Sequence, residues 1–190
     1  MIVNMTFMRK MARQSVTEEK SYARLKRRIV PAALAGVTLS MLVLLLEYSK
    51  VDALYGYGTS IVIFTSFASS IFIMFIMPSS RAAKMGKFVK SYVLAAIVGY
   101  LGSMAVGILP LFLISGIVIF ALAVLLILTN SEHPPAAAIA FAFVLFHVGE
   151  FGILIIATGI AVILLFRYVL EKSIFELEHE VKKIEKAEFE

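Results

Sequence analysis

The sequence predicts an all-α, polytopic helical membrane protein with about four to five full spans plus broken or re-entrant helices. Of its 190 residues, 61% are hydrophobic and 16% charged, whereas roughly a quarter of an ordinary soluble domain is charged. Residues 54–80 and 91–131 contain no charged side chain. Eight of the 18 Lys and Arg precede residue 29, five follow residue 166 and four cluster between Arg81 and Lys90. Basic charge beside apolar stretches is the pattern that orients membrane spans, and it puts both chain termini in the cytoplasm. A soluble enzyme, a nucleic-acid-binding module and a disordered tail are all excluded. With no cysteine, disulfides and thiol-ligated metals are excluded too.

Three regions follow: a basic cytoplasmic arm at 1–29, a membrane domain at 30–166 and a charged helical tail at 167–190. In the arm Tyr22, Leu25 and Ile29 recur at helical spacing, which suits an amphipathic surface helix or a solvated arm equally well. Pro31 fits the first turn of span 1, residues 30–46. That span is read as retained, because no small-residue cleavage pattern follows it. The polar residues Glu47, Lys50 and Asp52 mark its far end. The next apolar stretch opens with Tyr55-Gly56-Tyr57-Gly58-Thr59-Ser60, poor material for a lipid-facing helix, and closes at Pro78. Residues 79–90 form the internal basic loop.

Span 3 covers 91–109, where Gly99 and Ser103 permit close helix approach. Pro110 turns the chain into span 4, residues 111–129. The apolar run at 136–146 is too short to cross a bilayer, which takes ~17–25 residues. It reads as a re-entrant or broken helix. Residues 151–166 form the last span. Beyond it Leu170, Ile174, Leu177, Val181 and Ile184 repeat at spacings of four and three, a heptad seam. Either self-association through 170–184 or docking of one amphipathic helix on the body or membrane would use it.

The order span, small-residue-led segment, span occurs at 30–109 and again at 111–166. Three crossings per half would invert the second copy. In such inverted repeats the N-termini of broken helices meet and hold an anion, here at Gly58, Thr59 and Ser60 from one half and residues near Pro135 from the other.

Glu132-His133-Pro134-Pro135-Ala136-Ala137-Ala138, with Met77-Pro78-Ser79-Ser80 upstream after Gly58-Thr59-Ser60, resembles the HPP family of integral membrane proteins over roughly residues 30–166. The resemblance implies a small multi-spanning protein that transports an anion, nitrite being the best-known candidate. The chain departs from the family at Arg81-Ala82-Ala83-Lys84-Met85-Gly86, where further proline and a Gln-Pro-Arg-Asn-like stretch are usual, and at Ala137, where glycine is frequent.

The candidate substrate-binding residues are therefore His133, Pro134, Pro135, Ala136, Gly58, Thr59 and Ser60, with Pro78, Ser79 and Ser80 as an accompanying motif. His133 either meets an anion or titrates, its ordinary pKa being ~6.5; alternatively it caps a helix in an interfacial loop. Pro134 and Pro135 read as structural, fixing the helix start. Glu132, His133, His147 and Glu150 are candidates for proton coupling, since ionisable groups at membrane depth are usually functional. Glu132 reads first as a solvated loop acid and second as a group that orients His133 or couples a proton, and His147 and Glu150 read alternatively as parts of an interfacial turn.

No metal, cofactor or catalytic residue is expected. The ligand types at His133, His147 and the glutamates lack a metal-site spacing, and nucleotide-binding and nucleophile-elbow motifs are missing from the sequence. The expected partners are the lipid bilayer and a small anion. The competing function is a non-transporting scaffold or sensor that recruits a partner through the C-terminal helix, and an intramembrane metal enzyme is a third reading.

Overall fold

A computed structural model describes Leu25 and residues 29–187, with side chains described through Ser173. The proposed arm before residue 25 and the side chains of Ile174, Leu177, Val181 and Ile184 lie outside the described residues. Among those described, the secondary structure is helical: α1 (Ile29–Ser49), α2 (Val51–Tyr55), α3 (Thr59–Ile76), a 3-10 turn (Arg81–Ala83), α4 (Met85–Ser103), α5 (Leu111–Leu128), α6 (Ala136–Leu145) and α7 (Glu150–Ala187). Four of these, α1, α3, α5 and the first part of α7, are long and apolar enough to cross a membrane.

The fifth long helix, α4, starts earlier than the hydropathy pattern implies and ends earlier too. Its first turns carry Lys87 and Lys90, charges that read as loop in the sequence. A lysine at a helix end can keep its ammonium in the polar zone while its stem lies along apolar surface, so the helix begins six residues before the charge-free stretch. At the other end Ser103 Oγ donates to the Tyr100 carbonyl at 2.7 Å. The chain then loops through Gly107 (φ 90°) to Pro110, the N-cap of α5.

Pro78 stops α3: it cannot extend a helix, and it disfavours the α conformation for the residue before it. Met77 is accordingly outside the helical region at φ −119° and ψ 53°. Ser80 then caps the 3-10 turn, its Oγ accepting from Ala83 N at 3.1 Å.

The short helix α6 is the centre of the bundle. It packs most extensively on α4 and then on α5 and α3, and Ala136, Ile139, Ala140, Ala142, Phe143 and Val144 are buried. Ten residues rise only ~15 Å, so α6 stops partway, and such a segment is tolerated at membrane depth when protein surrounds it. Contacts at Tyr92 with His133, Gly99 with Ala140 and Gly102 with Val144 advance together along α4 and α6, so the two helices run parallel.

The approach is closest at Gly99, where a Cβ would lie 2.7 Å from Ala140 Cα. Lipid gives apolar side chains no reason to prefer each other, so such backbone proximity, with its dispersion contacts, is what holds membrane helices together. Hence small residues line this seam.

One end of the bundle bears Arg81, Lys84, Lys87 and Lys90, where α3 ends and α4 begins. The opposite end bears Gly56, Gly58 and Gly149, with Tyr55 against Gly149 and Gly58 against Phe146. Below they are called the basic end and the glycine end.

Candidate functional site

His133 lies in the connection between α5 and α6 at the basic end, with none of its surface exposed. Its Nδ1 is 2.9 Å from the Ala82 carbonyl oxygen of the 3-10 turn, and its Nε2 is 2.8 Å from Ser70 Oγ on α3. A carbonyl only accepts, so Nδ1 carries the hydrogen. Ser70 Oγ in turn lies 2.7 Å from the Tyr92 hydroxyl on α4, and that hydroxyl lies 2.7 Å from Ser66 Oγ. Ser66 Oγ donates to the Pro135 carbonyl at 2.6 Å. The bonded chain thus leaves the Ala82 turn, crosses His133, α3 and α4, and closes two residues from His133.

Aromatic rings wall this chain. The Phe88 ring meets His133 edge-on at 5.5 Å between centroids, and Phe67 stacks on Tyr92 at 5.1 Å. Burial holds the imidazole below its ordinary pKa, while the hydrogen bond to Ala82 acts in the opposite sense.

Outside the wall, Lys87 Nζ donates to Glu132 Oε2 at 2.7 Å and to Asn130 Oδ1 at 2.8 Å. This pairing holds the Glu132 carboxyl below the usual carboxylate range. Glu132 therefore does not orient His133; Ala82 and Ser70 do. The bond ties the start of α4 to the connection before α6.

The expectation that two helix N-termini meet is corrected. Gly58 sits against Phe146, at the C-terminal end of α6, while Pro135 at its N-terminal end contacts Ser66, well down α3. The two small-residue segments therefore mark opposite ends of α6. They also differ in length: α3 has 18 residues and α6 has 10.

At both N-termini most of the backbone donors an anion would use are already taken. At α3 the Asp52 carboxylate accepts from Ser60 N at 2.9 Å and from Ser60 Oγ at 2.6 Å, so the protein's own anion occupies the positive end of the helix. Thr59 Oγ1 donates to Gly56 O at 2.8 Å. At α6 the Pro134 and Pro135 nitrogens have no hydrogen. The amides of Ala136, Ala137 and Ala138 donate to the carbonyls of His133, Pro134 and Pro135 at 3.0, 3.1 and 3.2 Å.

The remaining sequence candidates separate from His133. His147, exposed and left-handed at φ 50°, and Glu150, 3.4 Å from the Tyr100 hydroxyl, lie at the glycine end. Pro78 and Ser79 are exposed, and Ser80 caps the 3-10 turn. Among the described residues no group of three or more His, Asp or Glu side chains comes together as a metal site would require.

Sequence reasoning missed Ser66, Ser70, Tyr92 and the Ala82 carbonyl. Ser66 and Ser70 stand four apart in a charge-free span, and polar residues so placed on one face turn toward the bundle interior. That signal was present.

A helical bundle with five long helices, a sixth too short to cross and a wholly buried histidine network defines a polytopic integral membrane protein whose polar groups are gathered inside. The HPP transmembrane-region family model matches residues 22–176, and the chain belongs to that family. No curated protein and no solved structure gave a match.

Proposed function

We propose that this protein is a transporter or channel for a small inorganic anion of the nitrite type, moving a solute across a bilayer and converting none. One observation carries the reading: an ionisable side chain and three hydroxyls lie inside an apolar bundle, joined to each other across α3, α4 and α6. Polar groups are costly there and mark transport pathways by default. Family membership supports the same class. Arg81, Lys84, Lys87 and Lys90 give the adjoining rim a positive field that attracts anions. By the charge asymmetry of membrane proteins this rim faces the cytoplasm, together with the start of α1 and the end of α7.

The test is flux of nitrite, nitrate and chloride into proteoliposomes that hold equal amounts of folded wild-type or His133→Gln protein. Wild type is expected to move at least one of them and the variant to move it far more slowly. No flux of any small monovalent anion with wild type would end the proposal.

A second reading has its own observation. α7 is 38 residues long, nearly twice the helix that ~30 Å of hydrocarbon requires. A scaffold that recruits a partner through this extension explains the surplus. Removing residues 171–190 separates the two: a transporter keeps its flux, whereas a scaffold loses its cellular role with the membrane domain intact.

A further inference from the structure

We propose that the His133–Ser70–Tyr92–Ser66 cluster is a proton-binding site, built so that the five-link chain from the Ala82 carbonyl to the Pro135 carbonyl is complete only when His133 carries both ring protons. The argument is a count. Five links run in sequence: Ala82 O to His133 Nδ1, His133 Nε2 to Ser70 Oγ, Ser70 Oγ to Tyr92 OH, Tyr92 OH to Ser66 Oγ, and Ser66 Oγ to Pro135 O. Both ends are carbonyl oxygens, which supply no hydrogen. With a neutral imidazole the four groups between them supply four hydrogens, one each. One link must then hold two facing lone pairs at hydrogen-bond distance, wherever the gap is placed. The Ser66 carbonyl, 3.1 Å from Ser70 Oγ, is one more acceptor and adds no hydrogen.

A fifth hydrogen removes the conflict. With Nε2 protonated, His133 donates to Ala82 and to Ser70, Ser70 to Tyr92, Tyr92 to Ser66, and Ser66 to Pro135. All five links of the sequence are then filled in one direction, and Ser70 gives up its bond to the Ser66 carbonyl, which its own helix still supplies with a backbone amide. The proton comes from bulk water and leaves the cluster with one positive charge. Desolvation opposes that charge, and the missing hydrogen bond, in a site this dry, favours it.

The charged groups nearby do not take part directly. Arg81 and Lys84, at the ends of the 3-10 turn segment, are exposed; Lys87 of α4 and Glu132 of the His133 loop pair with each other. From α3 Ser70 meets the imidazole and Ser66 meets Tyr92 and the Pro135 carbonyl at the start of α6, while Arg167 of α7 is bound to the Met74 carbonyl. Tyr92 is the other titratable group in contact.

The inference deepens the transport reading, on which it rests only for its role, by naming the co-transported ion. A buried imidazolium is the charge that a small monovalent anion would neutralise, so each would strengthen the binding of the other.

The test is ring-nitrogen NMR of 15N-histidine-labelled protein in lipid nanodiscs between about pH 5 and about pH 9, a window around the ordinary histidine pKa. The His133 signal is assigned by its loss in His133→Gln. In Tyr92→Phe three hydrogens serve three remaining links, so a neutral imidazole is fully bonded. Ser66→Ala also balances, and it serves should Tyr92→Phe not fold. In either variant the midpoint for loss of the second ring proton is expected to fall by about one pH unit or more, a tenfold change in proton affinity. An unchanged midpoint in a folded variant, or a wild-type His133 neutral across the range, overturns the proposal. The readout needs no transported solute. Titration as expected without anion flux keeps the proton site and removes the transport reading, and flux with an always-neutral His133 does the reverse.

Discussion

The two parts of α6 are held by different physics. Along its middle and toward the glycine end, α6 is fixed by backbone proximity: Gly99 against Ala140, and Gly102 between Val118 and Val144. At the basic end it is fixed by directed bonds, from Ser66 to Pro135 and from His133 to Ser70 and Ala82. Steric contact sets a distance and admits nothing larger. Hydrogen bonds set orientations, and they rearrange when a proton is gained or lost. A helix gripped rigidly over most of its length and adjustably at one end is suited to confine change to that end.

The largest effect should come from breaking the rigid part. Gly99→Leu forces a side chain into the Ala140 backbone, and overpacking of this kind costs about 1–3 kcal/mol or more. The expected result is a strong drop in folded yield and in the detergent thermal midpoint, with Gly99→Ala intermediate. Full yield for the leucine variant would mean that α4 and α6 are not locked. Next comes the adjustable end. Ser70→Ala leaves the His133 and Tyr92 polar atoms short of a partner, and interhelical hydrogen bonds in membranes are worth about 0.6–1.7 kcal/mol. A modest fall in midpoint with normal yield is expected, and a collapse like that of Gly99→Leu would erase the contrast.

Gly58→Ala probes the loop under the C-terminal end of α6. Its cost is backbone strain at φ 96°, about 1–2 kcal/mol for a residue with a Cβ, and thermal unfolding would register it. Smallest is Glu132→Gln, at the exposed lid of the polar end. Because Lys87 lowers the Glu132 pKa, the pair favours the folded state above the usual carboxylate range. That contribution disappears as pH falls through the lowered value. Wild type and variant should therefore differ slightly at neutral pH and coincide in acid, which unfolding midpoints at both pH values would check.

Much of this architecture could be read from residue order. The bounds of α5 follow from Pro110 and the charge-free run after it, and α6 from ten apolar residues between two polar breaks. What escaped was set by distance in space. Asp52 reaches Ser60 across a bend at Gly56 and Gly58, so the small residues that look like an anion cradle surround an internal carboxylate. Beyond its first turn, α3 carries four hydroxyls in two adjacent pairs. Thr65 and Ser69 bond back to carbonyls one turn earlier, at 2.6 and 3.0 Å, on the exposed face. Ser66 and Ser70 face inward, and only the neighbouring helices distinguish the two faces. His133 was legible as important through its motif, but the absence of free donors at α6 was not, because it depends on how three alanine amides turn back on their own loop.

The long α7 has a mechanical consequence. Arg167, buried, binds the Met74 carbonyl near the end of α3 and lies 3.2 Å from Glu171. From Glu150 to Arg167 the helix measures about 26 Å, and from Arg167 to Ala187 about 30 Å. The first arm is clamped along its length, with Gly159 against Phe67 and Ile155, Ile156 and Ile163 buried. The second arm is therefore a lever rooted at Arg167. A load on the tail would reach the bundle first through the Met74 carbonyl, at the foot of α3.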